Sequence, residues 1–113
     1  MAMKFLVKCP HLHTIVPIYD YGIREMKGWG HLVKKHGYSK RKTRSHFLAN
    51  ANIYELIRET IQSATTLVFY KYKVMLTKRF RKPVGRQKNK DLFSVTVVIG
   101  LNPKELITAF PDK

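Results

Sequence analysis

Across residues 52–64, Ile53, Leu56, Ile57, Ile61 and Ala64 return at helical spacing with polar residues between them, which predicts an amphipathic helix. Asn52 is its predicted N-cap, and Glu55 three residues on supplies the second half of a capping box. A shorter helical pattern covers residues 24–36. Gly28 and Gly30 loosen it, so its regular part begins near Trp29; Trp29, Leu32, Val33 and His36 then fall on one side, and Gly37 stops it. After Ala64 the period changes to that of extended chain. Residues 66–76 are rich in aromatic and β-branched side chains, residues 79–84 form a shorter basic strand, residues 92–99 are β-branched, and residues 105–110 make the last strand. Residues 85–90 read as a polar hairpin loop and 100–104 as a tight turn, so the strands should run antiparallel. Near the start, residues 14–18 read as a short edge strand or an extended arm, because Pro17 argues against a central strand.

Helices followed by strands predict an α+β domain, with N-terminal helices packed on one face of a roughly four-stranded antiparallel sheet and the other face open to a ligand. A chain of 113 residues has the size of one domain with one core. Its predicted parts are an N-terminal arm at 1–22, a helical part at 23–64 and the sheet at 65–111. Alternation places Ser94, Thr96 and Val98 on one side of their strand, Leu106, Thr108 and Phe110 on one side of the last, and Arg79 with Arg81 on one side of the basic strand. If those sides coincide, arginines and hydroxyls share a face that can hold a phosphate. Thr96 and Thr108 are equally readable as good strand residues.

Charge sharpens this picture. Twenty-two Lys and Arg against seven Asp and Glu give a formal net charge of +15, which opposes compaction by self-repulsion and points to a polyanionic partner. The basic residues are spread over several segments, as a surface that follows a nucleic-acid backbone would have them, and are densest at Lys40, Arg41, Lys42 and Arg44. The one cysteine, Cys9, allows neither an internal disulfide nor a Cys/His zinc pattern. The apolar run Phe5-Leu6-Val7 is too short for a signal core, and no later run approaches a membrane span. A soluble domain is expected, which could equally be the excised end of a longer, exported protein.

The seven acids, Asp20, Glu25, Glu55, Glu59, Asp91, Glu105 and Asp112, are too scattered for a two-metal nuclease. Glu55 and Glu59 stand in the first turns of a helix, where negative charge supports it. His11 and His13 form an H-x-H pair without an acidic ligand nearby. Glycine-rich phosphate loops and G-x-S-x-G elbows are missing. No metal or other cofactor is therefore expected, and proton transfer by histidine remains. His31 lies beside Lys34 and Lys35 at i+3 and i+4; an imidazole can take or give a proton while a lysine one turn away holds a phosphate. His36 lies on the apolar stripe, where a histidine often simply packs against the last carbonyls.

Gly30-His31-Leu32-x-x-x-His36-Gly37, Ser45-x-Phe47 leading into the second helix, and Leu106-Ile107-Thr108-Ala109-Phe110-Pro111 at the end occur in an order that resembles the small bacterial ribonuclease toxins of the barnase, EndoU, colicin and RelE-like fold. The likeness is greatest to toxin domains at the C-termini of contact-dependent inhibition and other polymorphic toxins, and covers residues 28–111. It implies cleavage of RNA, often tRNA, by attack of a ribose 2′-hydroxyl on its own phosphate. His31 would be the leading general base or acid and His36 the second. Arg79 and Lys35 would stabilise charge on the phosphate, and Thr108, with Thr96 behind it, would orient the phosphate or the hydroxyl. Lys34, Lys40, Arg41, Lys42, Arg44 and Arg81 would follow the RNA backbone. The resemblance further implies an acidic immunity protein as partner, delivery at the C-terminal end of a larger secreted protein, and action in the cytoplasm of a bacterial cell; it leaves open whether a host protein assists.

Two other readings compete. A non-catalytic RNA-binding domain, ribosome-associated or similar, would use residues 40–44 and exposed aromatics such as Tyr70 and Tyr72. A DNA-binding regulator is weaker, because Arg58 is the one basic residue of the helix at 52–64, which makes a poor reader of the major groove.

Overall fold

The computed structural model describes residues 2–22, 24–37 and 44–113, and shows an α+β fold of two helices and antiparallel strands. The chain opens with β1 (Ala2–Cys9) and β2 (Thr14–Asp20), joined by a 3-10 turn at Pro10–Leu12. They pair antiparallel through Val7↔Val16 and Cys9↔Thr14, and the inward side chains Val7, Cys9, Val16 and Ile18 enter the main core. The expected N-terminal arm is thus a hairpin. Pro17 is tolerated because, among the described residues, β2 pairs with β1 alone, leaving its other edge free of ladder bonds.

Helix α1 (Gly28–His36) follows. It starts at Gly28, where a positive φ of 88° and the closeness of the Tyr19 carbonyl and the Tyr21 ring leave no place for a Cβ. Gly37 ends it in extended conformation, not left-handed; what requires glycine there is the Val33 carbonyl, which a Cβ would overlap. Leu32 is buried and Trp29 packs at the core edge, but Val33, expected on the same side, is exposed.

Strand β3 (His46–Phe47) leads to α2 (Ile53–Ser63). Asn52 caps α2 as expected, its side-chain oxygen accepting from the Glu55 N–H at 3.1 Å. The reciprocal half of the capping box does not form, because the Glu55 carboxylate pairs with Arg58. Ile57 and Ile61 are fully buried, each contributing about 1.5–3 kcal/mol. Glu59 reaches Lys78 at 3.9 Å, so both acids of the helix are engaged structurally.

The remaining strands are β4 (Thr66–Tyr70), β5 (Lys73–Arg79), β6 (Gly85–Gln87), β7 (Lys90–Leu92), β8 (Ser94–Leu101) and β9 (Lys104–Asp112). The four-stranded sheet has the order β4-β5-β8-β9, all antiparallel, and β3-β6-β7 form a smaller one. Three expectations change. The stretch 66–76 is two strands of a hairpin, turning at Lys71, whose φ is 53°. The stretch 79–84 is the end of β5 followed by a loop. The stretch 85–90 contains β6 and the start of β7, with the turn at Lys88 and Asn89 in left-handed backbone.

Val74, Leu76, Val95, Val97, Ile99, Leu106 and Ala109 form one side of the large sheet and meet Ile57 and Ile61 in the core. Helix α2 packs on β5 and β8 and touches β1, whereas α1 packs on β9, β2 and β3. The helices therefore occupy different stations around the sheet, with the β1–β2 hairpin touching both.

Candidate functional site

The ladder of the large sheet sets which polar residues meet. Arg79 pairs with Ser94 and Ser94 with Asp112; Thr77 pairs with Thr96 and Thr96 with Phe110; Met75 pairs with Val98 and Val98 with Thr108. These three rows, two residues apart, share the side opposite the main core. A bulge between Val98 and Ile99 puts Leu106 opposite Ile99 while Thr108 stays opposite Val98. Leu106 therefore belongs to the core side, not to the side of Thr108 and Phe110, because the extra residue shifts the alternation. Arg81 lies in the loop after β5, so it shares no strand side with Arg79.

His36 is carried to this side from the end of α1. Its ring packs against Phe110 with centroids 5.4 Å apart, and it is 8% exposed. Nδ1 is 3.0 Å from the Ser45 main-chain oxygen. A carbonyl oxygen can only accept, so Nδ1 carries the proton and the neutral ring keeps its lone pair on Nε2. Burial lowers the pKa of His36; the bond to Ser45 works against this, and the positive charges of Lys35 and Arg44 and the neighbouring His31 add to the lowering. His31, half-buried, is likewise pushed below its ordinary value, by burial first and then by Lys35 and Lys34. Both imidazoles are thus biased towards the neutral form, which can accept a proton.

The hydroxyls divide. Thr96 is 2% exposed, and its Oγ1 joins the Thr77 hydroxyl at 3.0 Å and donates to Asp112 Oδ2 at 3.2 Å. It ties three strands together. The Thr108 hydroxyl is buried and has no hydrogen-bond partner among the described residues, a situation that is uncommon for a buried polar group and that points to a role outside packing. Arg79 is exposed, with its guanidinium 5.1 Å from the Phe93 ring centroid. Lys34, Lys35, Arg44 and Arg81 are exposed to solvent. Lys40, Arg41 and Lys42 lie outside the described residues.

Sequence reasoning singled out His36, Arg79, Thr96 and Thr108 without their connections. The parts it missed are the Ser45 carbonyl that orients the imidazole, the Phe110 ring that backs it, and the Thr77 and Asp112 partners of Thr96. Ser45 and Phe110 do stand in the stretches that carry the family resemblance, but nothing local assigns a role to a main-chain oxygen. A second grouping holds α1 in place. The Tyr21 hydroxyl donates to Glu105 Oε1 at 2.7 Å, and Lys27 Nζ is 3.2 Å from the same oxygen. Burial, the bond to Glu105 and nearby negative charge push the Tyr21 pKa up to about 12.

A separate cleft of about 640 Å³ opens between the start of α2 and the loop after β5, lined by Leu56, Phe80, Pro83, Arg81, Glu55 and Asn50 among others. No helix among the described residues is long and apolar enough to cross a membrane. No family model, curated protein or solved structure matches this chain.

Proposed function

We propose that this chain is a toxin-like endoribonuclease that cleaves RNA, tRNA being the leading substrate, by metal-independent general acid/base transesterification. The observation that carries the reading is the His36 imidazole, whose Nδ1–H is committed to Ser45 and whose neutral form is favoured by burial and neighbouring cations. Such a ring offers Nε2 as a general base near neutral pH. The base would take the proton of the ribose 2′-hydroxyl as its oxygen attacks the adjacent phosphorus, and the 5′-oxygen of the next nucleotide would leave with a proton from a second group. The proposed acid is His31, five residues earlier on α1, acting in its protonated form, whose share at neutral pH is reduced by burial and by Lys35 and Lys34.

Arg79 and Lys35 would neutralise charge building on the phosphate, and Thr108 would contribute its unpaired hydroxyl. Thr96, sealed and doubly bonded, would hold the sheet under the site and touch nothing of the substrate. Lys34, Arg44, Arg81 and the basic stretch at 40–42 would follow the RNA backbone, which accounts for the net charge of +15. An acidic immunity protein would neutralise the same surface, and the domain would act in the cytoplasm of a bacterial cell after delivery within a larger secreted protein.

The test is incubation of the purified chain with total cellular RNA in EDTA, beside His36→Gln and His31→Ala variants, read on a denaturing gel. Discrete cleavage by the wild type and its loss in His36→Gln is the expected result. Equal cleavage by all three proteins would remove His36 and His31 from the mechanism. One observation favours a non-catalytic RNA-binding domain instead: His36 is as buried and backbone-bonded as a packing histidine. Under that reading none of the three proteins cuts, with or without added cell extract, and all bind RNA alike.

A further inference from the structure

We infer that the tip of the β4–β5 hairpin is a docking platform for single-stranded RNA, at a distance from His36 on the same side of the sheet. The inference takes its ligand from the ribonuclease reading and adds the class and minimal length of the substrate. At this tip Tyr70 and Tyr72 are 55% and 82% exposed. Lys71 and Lys73 place their ammonium groups 5.6 and 5.8 Å from the Tyr70 ring centroid. Exposed aromatic faces interleaved with cations suit single-stranded nucleic acid, since bases stack on the rings while the lysines meet the phosphates.

Register connects this tip to the site. Tyr70 pairs with Lys73, Val68 with Met75 and Thr66 with Thr77, so Tyr70 and Val68 share the side of the Thr77-Thr96-Phe110 row. From Tyr70 to Phe110 the path crosses three strand spacings and four residues along the strands, roughly 20 Å. A strand of a few nucleotides spans that distance, and a dinucleotide does not. The base held at the hairpin and the bond beside His36 therefore belong to different nucleotides of one strand.

As the edge of its sheet among the described residues, β4 also offers a row of backbone groups to which a protein strand could add. Two facts favour RNA. Tyr72 lies beyond the last paired residues of β4 and β5, so a strand added along β4 would leave the most exposed ring uncovered. The lysines flanking Tyr70 and the net charge of +15 select a polyanion.

The experiment uses the full chain carrying His36→Gln and measures fluorescence anisotropy of a labelled uridine 12-mer, with an unlabelled uridine dinucleotide as competitor. Tyr70→Ala with Tyr72→Ala should weaken 12-mer binding by about tenfold or more and leave the dinucleotide unchanged. Tyr70→Phe with Tyr72→Phe should bind as the parent does. All these side chains are exposed, so equal thermal midpoints will show intact folding. Equal 12-mer affinity in the alanine variant would overturn the platform while leaving the ribonuclease reading in force. That reading fails separately, if the wild-type chain cuts no RNA. Unchanged RNA affinity with loss of binding to an acidic, alternating Glu–Val hexapeptide would assign the edge to a protein strand and overturn the proposal.

Discussion

His36 Nδ1 and the Ser45 main-chain oxygen stand 3.0 Å apart, and this one bond decides which nitrogen of the ring is free. The side-chain hydroxyl of Ser45 is 3.5 Å from the same nitrogen, too far to compete with the carbonyl. Replacing His36 with Gln keeps a donor for Ser45 and removes the base. Cleavage by His36→Gln should fall by about a hundredfold to ten-thousandfold in kcat, as loss of a general base commonly does. Single-turnover kinetics on a defined RNA would check it; a loss confined to KM would assign His36 to binding.

The rate should depend on pH in a stated direction. The proposed base works when neutral, and its pKa lies below the ordinary histidine value of 6.5. The acidic limb of the kcat profile should therefore have its midpoint below 6.5, and the rate should fall again at higher pH as the proposed acid His31, also lowered, loses its proton. A midpoint above 6.5 would contradict the role.

Stability should move with the same groups. His36 and His31 are both lowered in the folded state, so the unfolded chain binds protons first as pH falls below about 6.5. Their contribution is complete above that pH and is lost as pH falls through the lowered folded values. Urea unfolding across this window should show stability falling on acidification, and His36→Gln should flatten the slope. An unchanged slope would show that the ring titrates alike in both states.

At the other extreme, Tyr21 is held protonated up to about 12, against an ordinary value of 10.0. Its bond to Glu105 contributes fully below pH 10 and is lost as pH rises towards about 12. Glu105→Gln removes the charge that Lys27 and Tyr21 share, and should cost about 1–3 kcal/mol by urea denaturation. Because this grouping ties the entry of α1 to β9, RNA cleavage should fall in the same variant. Full activity with the stability lost would separate the two.

The N-cap supplies a control outside the proposed catalytic residues. Asn52→Ala should destabilise the chain by about 1 kcal/mol and leave cleavage unchanged below the unfolding transition. Only half of the capping box forms, so Glu55→Gln should cost less than Asn52→Ala. A larger cost would place the Glu55–Arg58 pair above its exposed position.

How much of this could be read along the chain depends on the range of the forces involved. Helix α2, its cap and its buried stripe follow from spacing and from one side chain bonding a backbone three residues away, and all were legible. So was the α+β class, since the change of period at Ala64 is itself a local property. Thr108 and Arg79 were legible as residue types able to meet a phosphate, but not as members of one side of one sheet.

The sequence by itself determined the charge, the two helices, the change to extended chain after them and the presence of histidines, though not the bounds of the strands. Tertiary structure alone decided that residues 2–20 form a hairpin against the core, that a bulge sends Leu106 inward while Thr108 stays outside, and that Thr96 is consumed by Thr77 and Asp112. It also decided which nitrogen of His36 is free, because that depends on a carbonyl nine residues away brought back by the packing of α1 against β3 and β9. Local spacing encodes how a segment bends and which side is apolar; it carries no information on which distant backbone oxygen will satisfy a buried donor.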